Sequence, residues 1–226
     1  MKNLTSDKKS ILEAYMEGIL EWNEKVNLTN ITDPEEFRVK HIMDSLMCVD
    51  FKEYEEAGKI IDVGTGGGFP GIPLAVYSPE KNFMLLDSLN KRLKIIGELT
   101  EKLGIDNVEL LHARAEDAAR NKEHREKYDL CVSRAVSNLA TLSEYCLPFI
   151  KVGGYLMAYK GPDCERELEE ASKALKILGG EPLEIRDTGM EEYGLEHRIL
   201  VIKKVKPTPK TYPRKAGTPL KEPLGK

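Results

Sequence analysis

Residues 60–71, Ile-Ile-Asp-Val-Gly-Thr-Gly-Gly-Gly-Phe-Pro-Gly, constrain the fold more than any other part of the chain. An apolar run that ends in a cluster of glycines predicts a strand that turns sharply and feeds a helix. Glycine tolerates left-handed backbone and lets a ligand approach where a Cβ would collide. Pro70 suits a first helical turn, and a helix N-terminus presents free N–H groups to polar ligand atoms. From residue 59 onward short apolar runs alternate with amphipathic stretches. Residues 59–63, 82–87, 108–112, 128–133, 155–160 and 198–203 predict strands; residues 70–77, 91–103, 138–149 and 164–178 predict helices. This alternation implies βαβ units and an α/β fold, a largely parallel sheet covered on both faces. Residues 182–186 and 198–203 flank a glycine-containing loop and predict a closing hairpin. Gly153-Gly154 predicts a turn entering a strand, and Gly179-Gly180 a helix end.

The N-terminal 50 residues carry a different period. Ile11, Leu12, Tyr15, Met16, Ile19 and Leu20 recur at helical spacing within residues 7–30, with Ser6 or Asp7 as cap. Asp33-Pro34-Glu35-Glu36 predicts a second helix start carrying Phe37, Val39, His41 and Ile42. The chain is thus expected to divide into a helical extension over 1–50, packed on a core domain at 51–205, and a basic, proline-rich tail over 206–226. That tail holds five of the twelve prolines and is expected to be extended, with a mobile end.

Composition narrows the function classes. At 226 residues, 41% hydrophobic and 32% charged, the chain can bury a real core. It has no apolar run of spanning length and no apolar leader, so a cytoplasmic protein without a membrane partner is expected. The four cysteines, Cys48, Cys131, Cys146 and Cys164, show no CxxC spacing and suggest neither disulfides nor a metal site. The net charge of -4 hides an asymmetry: from Lys203 to Lys226 the chain carries +7, leaving -11 on the rest. A basic tail on an acidic body suggests a polyanionic partner touched locally, or only a solvated tail.

The glycine loop has two readings. Gly66-Gly67-Gly68-Phe69-Pro70-Gly71 formally fits the dinucleotide pattern GxGxxG. Gly64, Gly66 and Gly68, preceded by Asp62, fit the acidic-x-Gly-x-Gly-x-Gly pattern of methyltransferases. Register favours the second, because Gly64 directly follows the strand and an Asp there can accept from the amino group of a methionine moiety. Asp87 ends the next strand, where nucleotide-binding sheets place an acid for ribose hydroxyls; its simpler role is a helix cap. Ala115-Glu116 follows the third strand and is a candidate for the adenine edge, or just a first-turn carboxylate. Phe69 either shapes a ligand pocket or belongs to the core, and Trp22 is expected to pack rather than stack on a base.

Beyond the loop, the chain resembles the bacterial glucose-inhibited division protein B family, RsmG. The resemblance is carried by Trp22-Asn23-Glu24-Lys25-Val26-Asn27-Leu28-Thr29, by Arg38-Val39-Lys40-His41-Ile42-Met43-Asp44-Ser45-Leu46, and by residues 62–74 and 85–92. It continues in Ser133-Arg134-Ala135, Tyr159-Lys160-Gly161, His197-Arg198 and the tail over 207–219. It covers about residues 22–220. It implies a class I S-adenosylmethionine-dependent methyltransferase fold: a Rossmann-like, mostly parallel seven-stranded sheet with an antiparallel C-terminal hairpin and an N-terminal helical extension. It implies methyl transfer to N7 of guanine 527 in the 530 loop of 16S rRNA, with S-adenosylhomocysteine as product and 16S rRNA or the 30S subunit as partner, by a monomer that does not bind DNA. By motif position, Gly64, Phe69, Ala115, Glu116 and Arg134 become cofactor contacts. Gly66, from the glycine pattern, and Asp87, from fold logic, join them.

Guanine N7 carries a lone pair and no proton, so the expected chemistry is in-line positioning without an obligatory base. No catalytic residue is assigned; His41 is as readily a packed helix histidine, and Asp44 and Ser45 are as readily hydrogen-bonding structure. The basic residues Arg38, His41, Lys160, Arg198, Lys210, Arg214 and Lys215, with Arg134, are expected to track phosphates; Tyr212 is expected either to stack on a base or to pack. The alternatives are a methyltransferase of another RNA, a small-molecule or NAD-dependent enzyme on the same fold, and a non-catalytic ribosome-assembly protein.

Overall fold

The computed structural model describes residues 4–134 and 136–225; Met1, Lys2, Asn3, Lys226 and Ala135, the last residue of the Ser133–Ala135 motif, lie outside the described residues. In chain order the helices are α1 (Ser6–Asn23), α2 (Pro34–Phe37), α3 (Lys52–Glu55), α4 (Gly71–Tyr77), α5 (Asn90–Leu103), α6 (Ala115–Ala118), α7 (Leu139–Cys146), α8 (Cys164–Leu178) and α9 (Thr218–Lys221). The strands are β1 (Lys59–Val63), β2 (Asn82–Asp87), β3 (Val108–His112), β4 (Tyr128–Arg134), β5 (Ile150–Lys160), β6 (Gly180–Asp187) and β7 (Arg198–Lys204).

They form one seven-stranded sheet in the order β3-β2-β1-β4-β5-β7-β6. Strands β1 to β5 pair in parallel, while β7 pairs antiparallel with β5 and β6. The near-continuous apolar strands follow from burial on both faces. Ile60, Leu85, Leu130, Val132, Met157 and Val201 point into a core shared with α1, α4 and α5. Their neighbours Ile61, Met84, Leu86, Cys131, Leu156 and Leu200 point into the opposite core with α7 and α8. The side-chain alternation of a strand thus sorts one run into two cores. The four cysteines are buried and unbridged.

The sequence expectations differ from the structure in detail. Helix α1 stops at Asn23 rather than near residue 30, and its cap is Thr5, whose side chain accepts from the Lys8 N–H. The Asn23 side chain is the reason: Oδ1 accepts from the N–H groups of Leu28 and Thr29, and Nδ2 donates to the Thr29 carbonyl. Local side-chain bonds of this kind compete with helix. Asp33 caps α2 as its position suggested, and the helix runs on into a wider π-type turn over Arg38–Met43. Gly153-Gly154 is not a turn before β5 but part of it; a Cβ on Gly154 would meet the Asp129 carbonyl oxygen at 2.4 Å, so β4 packs too close for a side chain. No helix among the described residues is long and apolar enough to cross a membrane.

The tail is the largest departure. It folds back on the body instead of running free. Arg125 donates to the carbonyls of Thr208 and Tyr212, and Arg120 to that of Pro213. Thr141 donates to the Pro219 carbonyl, and residues 218–221 close a helical turn that the prolines were expected to prevent. Pro219 sits at the start of that turn, where a missing N–H costs nothing. Tyr212 packs on the core beneath α7 and α8.

Candidate functional site

The parallel strands end together, and their C-terminal loops enclose a cavity of about 490 Å³. Ligands of open α/β sheets bind at this edge, and the volume lies in the roughly 300–1,000 Å³ range of small-molecule sites. Gly64, Gly66, Phe69, Asp87, Ala115, Glu116 and Arg134 all line it, so every expected cofactor residue falls on one wall or another. Arg92, Arg114, Val136 and Tyr145 are among its other lining residues.

The loop is held open by bonds behind it. The N–H groups of Gly64 and Thr65 donate to the Leu86 carbonyl, which ties the loop to β2. Gly64, Gly66 and Gly68 have φ of 76°, 61° and 92°, the left-handed region that glycine occupies without strain. A Cβ on Gly64 would meet Val136 Cγ2 at 2.6 Å; one on Gly66 would meet nothing nearer than 4.0 Å, because the cavity lies in front of it.

Asp62 is placed differently from the expectation. It is buried beneath the loop and does not line the cavity. Its Oδ2 accepts from the Thr65 hydroxyl at 2.7 Å and the Gly71 N–H at 2.9 Å, while its buried Oδ1 has no partner among the described residues. Burial, partly opposed by these two bonds, raises its pKa to about 6. Asp87 lines the cavity and binds the backbone on both sides of it. Oδ1 accepts from the Leu89 N–H ahead of α5, and Oδ2 accepts from the Gly66 N–H, bracing the glycine loop. A carboxylate offers about four acceptor positions, so capacity remains toward the cavity. Glu116, also buried, uses Oε1 to accept from the Gly217 N–H of the tail at 2.8 Å.

The N-terminal segment supplies the roof. Tyr15 donates to the Gly67 carbonyl at 2.9 Å, fixing the loop from α1. Phe69 sits edge-on to Tyr15 and Phe37, and His41 stacks on it at 4.6 Å with 10° between the planes. Phe69 is therefore both a core residue and a cavity wall. Arg134 donates to His41 Nδ1 at 3.0 Å, to Asp44 Oδ2 at 2.7 Å and to the Lys40 carbonyl at 2.9 Å. His41 Nδ1 accepts, so its proton sits on Nε2, which donates to Thr29 Oγ1 at 2.7 Å. Burial and the adjacent guanidinium lower the His41 pKa to about 3. Asp44 is fully buried; burial alone would raise its pKa, but His197 and Arg134 outweigh it and hold the carboxyl below its usual range. His197 Nδ1 donates to Asp44 Oδ1 at 2.9 Å.

A second cavity, about 700 Å³, adjoins the first; His41, Arg134 and Val136 line both. Lys160, Glu167, Ser137, Asn138, Ile31 and His197 also line it. Of the residues expected to meet RNA, His41, Arg134 and Lys160 therefore come together here. The others lie elsewhere with partners of their own or at the surface. Arg38 is paired with Glu13 and Glu35, and Arg198 with Glu165 and Asp187. Arg214 is bound to Glu144, which is fully buried. Lys210 and Lys215 are exposed on the tail. Trp22 is partly buried on the core, with Lys25 Nζ 5.3 Å from its ring centroid.

Sequence reasoning treated Tyr15 only as part of an apolar stripe and did not assign Tyr145 or Val136. A tyrosine in such a stripe carries a hydroxyl that needs a partner when buried; that is the signal that pointed beyond packing.

Comparison with known proteins places the chain in a family and its fold among known structures. The family model described as rRNA small subunit methyltransferase G matches residues 8–195. A ribosomal RNA small subunit methyltransferase G from Clostridium novyi (strain NT) is 51% identical over 210 residues, 93% of this chain and 86% of that protein. Among solved structures, a SAM-dependent methyltransferase from Aquifex aeolicus superposes with a TM-score of 0.55 at 18% identity, covering 82% of this chain and 98% of that one. M. jannaschii TYW2 in complex with AdoMet superposes with a TM-score of 0.54 at 19% identity, covering 72% and 74%.

Proposed function

The chain belongs to the rRNA small subunit methyltransferase G family, and from that premise we propose that it transfers the methyl group of S-adenosylmethionine to N7 of guanine 527 in the 530 loop of 16S rRNA, as free rRNA or within the 30S subunit. The observation that carries this reading is the pair of joined cavities. One is built like a nucleotide site around the glycine loop, and the other opens from it past His41, Arg134 and Val136.

The residues fit the cofactor. Open space in front of Gly66 and a left-handed loop that side chains would obstruct match a ligand that approaches the backbone. Asp87 has acceptor capacity for ribose hydroxyls, and Ala115 and Glu116 lie along the wall for the adenine. When bound, S-adenosylmethionine supplies an electrophilic methyl carbon on a sulfonium and leaves as S-adenosylhomocysteine.

The protein's own part is placement and charge balance. Guanine N7 needs no base, and His41 does not act as one: both ring nitrogens are engaged, and its low pKa keeps it neutral and a poor proton acceptor. The Arg134 charge is compensated by buried Asp44 at 2.7 Å. The neutral imidazole and the paired guanidinium therefore do not oppose positive charge growing on a purine. Mapping N7-methylguanosine in 16S rRNA from cells with and without the gene tests the reading. Loss of the modification at guanine 527 alone is expected; retention of it overturns the proposal. Calorimetry with S-adenosylmethionine and with NAD separately tests the cofactor, with binding of the first alone expected.

A further inference from the structure

The wall of the second cavity carries a charge pair that the methyl-donor site does not use. Lys160 stands at the end of β5 and Glu167 in the first turns of α8; Nζ and Oε2 meet at 2.7 Å. Each is fixed by a second contact. Lys160 donates to the Ser137 carbonyl at 2.6 Å, and Glu167 Oε2 accepts from the Leu139 N–H at 2.8 Å. A strand and a helix thus hold both headgroups against the same turn ahead of α7. An ammonium has three donors and a carboxylate about four acceptor positions. These contacts occupy two of the donors and only the Oε2 oxygen. In the same wall the buried Ser137 Oγ has no partner among the described residues. A buried hydroxyl left unpaired costs about 1–3 kcal/mol, which a ligand's polar atom would relieve.

We propose that Lys160 and Glu167 read the Watson–Crick edge of the target purine, Glu167 Oε1 accepting from guanine N1–H and the 2-amino group while Lys160 donates to O6. The proposal rests on the reading of the chain as a guanine-N7 methyltransferase. Guanine presents an acceptor, O6, directly beside two donors, and an ammonium directly beside a carboxylate is the complementary order. Adenine presents the reverse order, its 6-amino group against the ammonium and its N1 lone pair against the carboxylate, so the pair rejects it at both positions. Bases splayed out of an RNA are recognised through this edge. N7 lies on the adjoining Hoogsteen edge, beside O6 and away from the N1–H and 2-amino groups that Glu167 holds, free to face the shared boundary of the two cavities. As N7 gains a methyl group the purine becomes cationic and N1–H a stronger donor. The Glu167 contact therefore strengthens toward the transition state, where it accelerates the reaction.

The test uses the full-length enzyme and 30S particles assembled on 16S rRNA carrying either guanine or inosine, which lacks the 2-amino group, at the target position. Wild type is expected to lose roughly tenfold in kcat/KM on inosine, about the worth of one hydrogen bond to a charged group. Glu167→Gln is expected to lose roughly 10- to 100-fold on guanine and little more on inosine, measured below its melting range, with S-adenosylmethionine affinity unchanged and melting temperature lowered because nearly buried Lys160 loses its charged partner. Equal discrimination against inosine by both enzymes shows a purely structural role and overturns the proposal. Should Glu167→Gln not fold, wild type alone decides, because equal rates on guanine and inosine overturn the proposal by themselves. Absence of any methylation of the guanine particle by wild type would instead overturn the guanine-N7 reading.

Discussion

The glycine loop and the C-terminal tail stand out equally in the sequence, one by its glycines and the other by its cations, yet the molecule uses them in opposite ways. Around the loop, polar groups bond to one another behind the backbone: Thr65 to Asp62, Gly66 to Asp87, Gly67 to Tyr15. The space in front stays open. In the tail the most prominent cation turns inward, Arg214 to buried Glu144, and two arginines of the body, Arg120 and Arg125, grip tail carbonyls. A glycine's conformational role is written in its own backbone. A cation's role depends on whether an acid elsewhere in the chain claims it, and charge counts do not record that.

Breaking the tail's inward bond carries the largest expected effect. Arg214→Ala leaves the Glu144 carboxylate buried without its guanidinium. Loss of one partner of a buried pair costs about 3–5 kcal/mol. Because the Arg214 side chain is 25% exposed, the low end applies, about 3 kcal/mol. For a chain of this size that lowers Tm by about 6–12 °C, read by calorimetric unfolding. An unchanged Tm with weakened rRNA binding would make Arg214 a phosphate contact and erase the contrast with the loop.

The loop side is sharpened by a matched pair of glycine substitutions. Gly64→Val places a β-branched residue at φ 76° with its Cβ 2.6 Å from Val136. Left-handed strain of about 1–2 kcal/mol and a similar cost of overpacking are expected to weaken S-adenosylmethionine binding by roughly 30- to 1,000-fold. Gly104→Ala has nearly the same φ, 65°, at the C-terminus of α5, but its Cβ would meet nothing within 4 Å. It is expected to lower stability by about 1 kcal/mol and leave the calorimetric affinity unchanged. Similar affinity losses in both would mean that backbone strain, not the cavity wall, sets binding.

The same distinction explains what was legible beforehand. The strands were legible because each is an apolar run on a sheet covered on both faces, and the cavity because Gly64, Asp87 and Ala115-Glu116 each end or follow a strand whose position fixes theirs. Asp62 was misplaced by one layer: sequence showed an acid next to the turn but not whether its carboxylate faced the ligand or the Thr65 hydroxyl and Gly71 N–H behind it. Arg38, Arg198 and Arg214 look alike in sequence, and only long-range pairing with Glu13, Glu165 and Glu144 separates them from exposed Lys210 and Lys215. Tyr15 needed a partner 52 positions away, the Gly67 carbonyl.

Lys204 offers a pH test of the tail's anchoring. It is fully buried, donating to the Leu147 carbonyl at 2.5 Å and to the Thr208 hydroxyl at 2.7 Å, where the tail begins. Burial lowers its pKa from 10.5 to about 8 despite the neighbouring Glu126. Between pH 8 and 10 the folded protein releases a Lys204 proton that the unfolded chain still holds, so the contribution of this lysine to stability is expected to rise with pH, by about 1–2 kcal/mol. The buried thiols Cys48 and Cys131 and, above about pH 10, the buried tyrosines Tyr15, Tyr54 and Tyr159, whose pKa values burial raises, act in the opposite direction. Urea unfolding of wild type and Lys204→Met at pH 7 and 9.5 isolates the contribution: wild type is expected to gain about 1–2 kcal/mol relative to the variant between the two pH values, and an equal change in both removes Lys204 as its source.

The smallest expected effect concerns two of the lysines that the fold leaves exposed on the tail. With paired charges removed from the count, Lys210 and Lys215, like Lys206 and Lys221, are described tail cations still available to phosphate. Each phosphate contact contributes about 0.7–0.9 to the slope of log K against log salt. Lys210→Ala/Lys215→Ala is therefore expected to flatten the slope for 30S binding by about 1.5, with Tm within about 1 °C of wild type, since exposed substitutions are nearly neutral. Arg214→Ala should show the converse, a large fall in Tm and, below its melting range, a slope close to wild type. An unchanged slope in the double variant would mean that Lys210 and Lys215 do not meet RNA phosphates. Equal slopes lost in both variants would mean that the Arg214–Glu144 pair opens on binding, and inward and outward cations would no longer be distinct classes.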